Sequence, residues 1–172
     1  MTTTSVYSTS SDQTIYMFPA SLAQQRLWFL HQLEPQSTAY NIPACLRLNV
    51  ALNVESLEQS LNALIQRHEV LRTTFVAVDG HPMQAITPSL KLSLPLVDLA
   101  GLPKTQREAE ALRLATEEVR CPFDLVQGPL LRPKLLKLAG EEYVLLLTIH
   151  HIISDEWSLG VLYEEEIGRA HV

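Results

Sequence analysis

The spacing of apolar positions lays out the elements of this chain before any chemistry is considered. After Pro19, Ser21 stands as a helix N-cap, and Leu22, Leu27, Leu30 and Leu33 recur at helical intervals with Trp28 beside them. Glu34-Pro35-Gln36-Ser37 ends that helix. Ala44, Leu46, Leu48 and Val50 then alternate with Cys45, Arg47 and Asn49, the pattern of a strand with one face buried. Asn53 caps a second helix, whose apolar face is Val54, Leu57, Leu61, Leu64, Ile65 and His68. The β-branched run Thr73 to Val78, the turn pair Asp79-Gly80 and the return from Met83 to Thr87 predict a hairpin. Leu92 to Val97 predicts an edge strand, because Pro95 disfavours a central place. Thr105 and Glu108 have the spacing of a capping box ahead of a third helix, Gln106 to Arg120, with the stripe Ala109, Leu112, Ala115 and Val119.

The last third is the most apolar. Leu131 to Leu138 reads as extended, Ala139-Gly140-Glu141-Glu142 as a turn, and Val144 to Ile149 as a short, fully buried strand. That strand ends in two adjacent histidines, His150 and His151, with Asp155 four residues beyond the second and a helix expected from Trp157 to Glu165. Hairpin-paired strands with helices packed on them define a mixed α/β (α+β) layer fold.

Composition narrows the function classes. The chain has 172 residues, 47% of them hydrophobic and 19% charged, which suits one domain with a real core. The net charge of −6, without a basic block, argues against nucleic acid as a partner. No apolar run approaches the roughly 20 residues of a membrane span, and the polar start is no secretory signal, so a cytoplasmic protein is expected. Two cysteines, Cys45 and Cys121, offer neither a disulfide framework nor metal-ligand spacing and read as buried thiols. Residues 1–17 read as a flexible leader. The string from Glu166 to Val172 resembles translated sequencing-adapter oligonucleotide and reads as a non-native tail, so His171 and Arg169 are given no role.

The candidate chemistry lies in the paired histidines. Imidazole titrates near neutrality, and at a strand end beside an acid it is a candidate proton-transfer group. Neighbouring residues on an extended strand face opposite ways, so His150 and His151 cannot both face a substrate or easily share one metal ion. One is left for chemistry and one for structure, and no metal is expected. His31 and His68 read as packing or surface residues, Trp28 and Trp157 as core, and Glu164, Glu165 and Glu166 as a solvated helix end. Ser154 has no nucleophile-elbow sequence around it.

Three strings, SLAQQRLWFL from Ser21, RHEVLRTTF from Arg67 and HHIISDEWS from His150, occur in that order, with YNIP at Tyr40 and FDLVQGPLLR at Phe123 between them. Together they resemble the condensation domain of non-ribosomal peptide synthetases over about residues 18–165. The resemblance implies the N-terminal lobe of a two-lobed, chloramphenicol acetyltransferase-like fold, with a tunnel between the lobes. It implies an acyltransferase that joins a donor thioester on one carrier protein to the amine of an aminoacyl thioester on the next. Both substrates ride on phosphopantetheine, no cofactor is bound by the domain itself, and adenylation domains belong to the same assembly line.

By the same resemblance His151 is the catalytic residue, accepting the amine proton or holding the tetrahedral centre by hydrogen bonds, while His150 supports it. Asp155 is architectural and pairs with an arginine, for which Arg67 and Arg72 are both candidates. Glu156 stands where the family has glycine, a departure that leaves two other readings in view. One is a coenzyme A-dependent acyltransferase of the same fold, and the other a non-catalytic module that binds carrier proteins. Without the second lobe, the 172-residue chain by itself is expected to be inactive.

Overall fold

The strands fall into two four-stranded sheets in the computed structural model, which describes residues 5–8 and 14–154. The first has the order β1 (Ser5–Ser8), β2 (Thr14–Pro19), β5 (His81–Ile86), β4 (Thr73–Val78), all antiparallel. The second has the order β3 (Asn41–Asn49), β8 (Glu142–His150), β7 (Leu131–Ala139), β6 (Leu96–Asp98), with only the short β6 parallel to its neighbour. Helix α1 (Leu22–Leu33) follows β2, α2 (Val54–Arg67) carries the chain from β3 towards β4, and α3 (Lys104–Val119) lies between β6 and β7.

β8 is central and covered on both sides. Tyr143, Leu145, Leu147 and Ile149 point into the main core with Leu57, Leu61 and Ile65 of α2, Phe75 of β4, and Leu131 and Leu135 of β7. Val144 and Leu146 point the other way, into a second core with Leu136, Leu138 and Ala111 of α3. Two covered faces explain why the sequence there is continuously apolar rather than alternating. The hairpin forms at Asp79 and Gly80, whose φ values of 51° and 78° are the left-handed pair that a two-residue hairpin turn requires.

Several expectations are corrected. The leader is not featureless to Met17: β2 begins at Thr14, pairs with β5, and buries Met17. Both cysteines are exposed rather than buried, Cys45 because it lies on the polar side of the β3 alternation. The edge strand is shorter and later than expected, and it lies beyond Pro95. The face of α1 is rotated. Gln24, Leu27, Trp28 and His31 turn inward, whereas Leu22 is 83% exposed and Leu33 is also open. The face of α3 is shifted too: Arg107, Ala111, Leu114, Ala115 and Glu118 turn inward, and Leu112 is 70% exposed. No capping box forms on α3. Pro103 precedes the helix without a side-chain cap, and the Glu108 carboxylate instead accepts from Arg47 at 2.7 Å.

These registers set a stability contrast. Leu135→Ala empties a fully buried position and is expected to cost about 3 kcal/mol of unfolding free energy. Leu112→Ala, on the exposed side of α3, is expected to stay within about 0.5 kcal/mol. Denaturant titration of the two variants checks the register of α3, since a large loss in Leu112→Ala would restore the stripe expected from the sequence.

Candidate active site at the end of β8

The ladder delivers both histidines and separates them. Asn41 of β3 faces His150 at the last rung. The His150 N–H then donates to the Leu130 carbonyl at 3.0 Å on one side, and the His151 N–H to the Tyr40 carbonyl at 2.8 Å on the other. Successive amides of an extended chain point in opposite directions, so this double anchorage holds His150 and His151 on opposite sides of the strand. A single 3-10 turn, His151–Ile153, follows.

His150 is 2% exposed. Its Nδ1 accepts from the Ile152 N–H at 3.1 Å, which puts the proton of the neutral ring on Nε2. The rings of His31, Tyr40 and Phe123 surround it, with centroids at 6.3, 6.3 and 5.9 Å. Burial above all, and then the neighbouring His31 and His151, push its pKa down to about 4. His31 is also lowered by burial, against the pull of Asp124. An open cleft of about 160 Å³, lined by Leu30, His31, Tyr40 and His150 among others, lies between this cluster and the end of α1.

His151 is the opposite case. Its ring is exposed, and Nδ1 lies 2.7 Å from the Ser154 carbonyl. A carbonyl only accepts, so Nδ1 carries the proton and Nε2 presents its lone pair. The two adjacent imidazoles therefore hold opposite tautomers. The inner one braces the turn, and the outer one offers a base.

Gln24 was not singled out by the sequence and closes the other side of the turn. Its amide donates to the Ile152 carbonyl at 3.4 Å and to Gln84 at 3.2 Å, while its oxygen accepts from the Ser21 N–H at 2.9 Å. The reciprocal bond from the Gln24 N–H to the Ser21 hydroxyl completes a capping box on α1. The signal available was the Ser-x-x-Gln spacing.

The arginine candidates separate. The Arg72 side chain is 9% exposed, donates to the Thr87 carbonyl, and lies 3.5 Å from Glu69. Arg67 ends α2 at the surface, and His68 forms that helix's C-cap. Asp155, Glu156, Trp157, the helix expected to Glu165, and the tail lie outside the described residues. Among the described residues no cluster of three or more metal-ligating side chains occurs, and no helix is long and apolar enough to cross a membrane.

Comparison with known proteins fits this geometry. The family model of the condensation domain matches residues 14–167. A linear gramicidin synthase of Brevibacillus parabrevis is 54% identical over 147 residues, which is 86% of this chain and 2% of that protein. Phosphinothricin tripeptide synthetase PhsC of Streptomyces viridochromogenes is 47% identical over 153 residues, covering 89% of this chain and 14% of that one. The starter condensation domain of rhizomide synthetase RzmA superposes with a TM-score of 0.81 at 27% identity, over 87% of this chain and 37% of that one. A variant of that domain was solved with C8-CoA and Leu-SNAC. The fold is thus that of the chloramphenicol acetyltransferase-like acyltransferases, and the paired histidines lie at the end of its central strand. The chain belongs to the condensation domain family, of which it spans less than half a domain's length.

The buried His150 makes stability pH-dependent. Its neutral form is favoured in the fold, so between about 6.5 and about 4 the unfolded chain binds the extra proton and stability falls as pH falls. His150→Asn keeps an acceptor for Ile152 N–H and removes the titration. Its thermal midpoint is expected to change less than that of the parent over this window, and parallel curves would assign the pH dependence to other groups.

Proposed function

We propose that these residues form part of a condensation domain that makes amide bonds between carrier-bound substrates. One observation carries the reading: His151 is exposed at the end of a rigid strand with Nδ1 pinned to Ser154 and Nε2 open. The amine of an aminoacyl thioester attacks the carbonyl of a donor thioester. His151 Nε2 takes the proton that the amine sheds, or holds that N–H as the tetrahedral centre forms. Collapse of that centre breaks the carbon–sulfur bond, and the proton ends on the departing pantetheine thiol. An amine is already nucleophilic and a thioester already activated, so holding the two together accounts for much of the rate. The domain needs no cofactor of its own. Its partners are the upstream and downstream carrier domains, the adenylation domains that load them, and the second lobe that completes the tunnel. The setting is the cytoplasm.

A second reading has one observation in its favour. A structural relative binds an acyl-coenzyme A, so the donor thioester here is offered on coenzyme A instead of a carrier. Assays of the complete domain with carrier-loaded and coenzyme A-linked donors separate the two. With the accepted donor, His151→Ala is expected to lower amide formation by roughly 10²–10⁴-fold without weakening carrier binding. Undiminished product would remove His151 from the chemistry and favour a module that only binds carriers.

In the condensation reading Asp155 pairs with Arg67 rather than Arg72, whose terminal nitrogens face Thr87 and Glu69 and which keeps only its buried Nε without a partner among the described residues. Asp155→Asn is expected to destabilise the complete domain by about 3–5 kcal/mol before it slows turnover. In double-mutant cycles Asp155 should couple to Arg67→Met and not to Arg72→Met, and the reverse pattern would reassign the pair. A stable but inactive Asp155→Asn would make the aspartate part of the chemistry.

A further inference from the structure

His150 is held from behind by a structure that begins well outside the histidine motif. Two side chains collect the carbonyls at the end of α3 and just beyond it. Arg132 of β7 donates from one terminal nitrogen to the Glu118 and Cys121 carbonyls at 3.1 and 2.8 Å, and from the other to the Pro122 carbonyl at 3.2 Å. Its Nε donates to the Glu118 carboxylate at 2.7 Å. Asn41 donates to the Val119 and Cys121 carbonyls at 2.7 and 2.9 Å. A cation at a helix C-terminus is favourable in its own right. Capping alone, however, does not require the guanidinium to lie over an aromatic ring. Here its carbon is 3.7 Å from the centroid of Phe123. That ring in turn stands edge-on to His150, at an interplanar angle of 86°.

The contacts form one line. The Glu118 carboxylate also accepts from Lys134 at 2.6 Å, so it is fixed from two sides. It aims Arg132, Arg132 seats Phe123, Phe123 closes one side of His150, and His150 Nδ1 holds the Ile152 N–H of the turn that starts with His151. If Phe123 withdraws, the His150 ring gains room to rotate about χ2 and drop that bond, and the turn loses its inner brace.

We propose that Arg132 is a positioning residue for the histidine turn, acting through Phe123 and His150 on the orientation of His151. The inference rests on the reading of His151 as the group that acts in condensation. Planarity is essential to it. Lysine at this position would keep the charge and one bond to Glu118, but could neither collect three carbonyls at once nor stack on Phe123.

The test uses the complete domain with ¹⁵N-labelled histidine, comparing the parent with Arg132→Lys, Phe123→Leu and Lys134→Met. In Arg132→Lys and Phe123→Leu the His150 nitrogens are expected to lose the Nε2–H pattern, and the ring to titrate closer to the ordinary value. With that change kcat should fall about ten- to a hundredfold while KM for the carrier-bound amine stays within about twofold. Lys134→Met loosens Glu118 without touching Phe123, and along the same line it should shift the His150 signals and kcat in the same direction but less than Arg132→Lys does. A His150 spectrum unchanged in both folded Arg132→Lys and Phe123→Leu overturns the proposal. Altered His150 signals with undiminished turnover, in a domain that His151→Ala inactivates, would overturn the link from His150 to His151, whereas undiminished turnover in His151→Ala as well would instead overturn the role given to His151.

Discussion

Two backbone hydrogen bonds at the end of β8 decide the arrangement of the site. The His150 amide is held on the β7 side through Leu130, and the His151 amide on the β3 side through Tyr40. With both amides committed, the strand cannot rotate at its end, and the side chains are forced to opposite sides. The environments then differ as much as two adjacent residues can. One imidazole is closed in by three rings and kept neutral, while the other stands open with its tautomer fixed by Ser154. In the proposed condensation, a doubled histidine in sequence is thus a single functional position with a built-in support.

That constraint holds only because β8 is rigid. A central strand covered on both faces makes a stiff beam, since each of its side chains would leave a cavity if it moved. The beam ends where the covering layers end, and the first residue past the ladder is the first to reach solvent. Gln24 ties the turn to α1 and to the other sheet, so the two sheets meet at the place where precision is needed. Chemistry that depends mainly on holding an amine and a thioester together demands such a fixed reference point.

The sequence showed β8, the hairpin at Asp79-Gly80 and the caps at Ser21 and Asn53 because each has a local cause: continuous apolar residues, left-handed turn residues, and a side-chain oxygen within reach of free amides. It misjudged the faces of α1 and α3 because inward positions there are filled by polar groups with partners. Gln24 and His31 face inward on α1, as do Arg107 and Glu118 on α3, and counting leucines cannot find them. Arg107 donates to the Ala100 and Leu102 carbonyls, and Glu118 binds Arg132 and Lys134. In the site, the doubled histidine was visible in one short string. The support behind it comes from residues far away along the chain, joined only by folding, as Asn41 and His150 are across the last rung.

The same polar inward positions explain why the site is both braced and sensitive. A buried carboxylate, guanidinium or imidazole is tolerated only while its partners are in place, because the cost of stranding one exceeds the net gain of the bond it made. Each meets that condition through groups on another element: Glu118 through Arg132 and Lys134 of β7, Arg132 through Glu118 at the end of α3, and His150 through Ile152 of the turn after β8. An apolar filling of the same space would be easier to stabilise, but it would not care which way an imidazole points. Directional bonds do, and so the polar layer behind Phe123 converts the packing of α3 on the sheet into the orientation of one ring nitrogen at the surface.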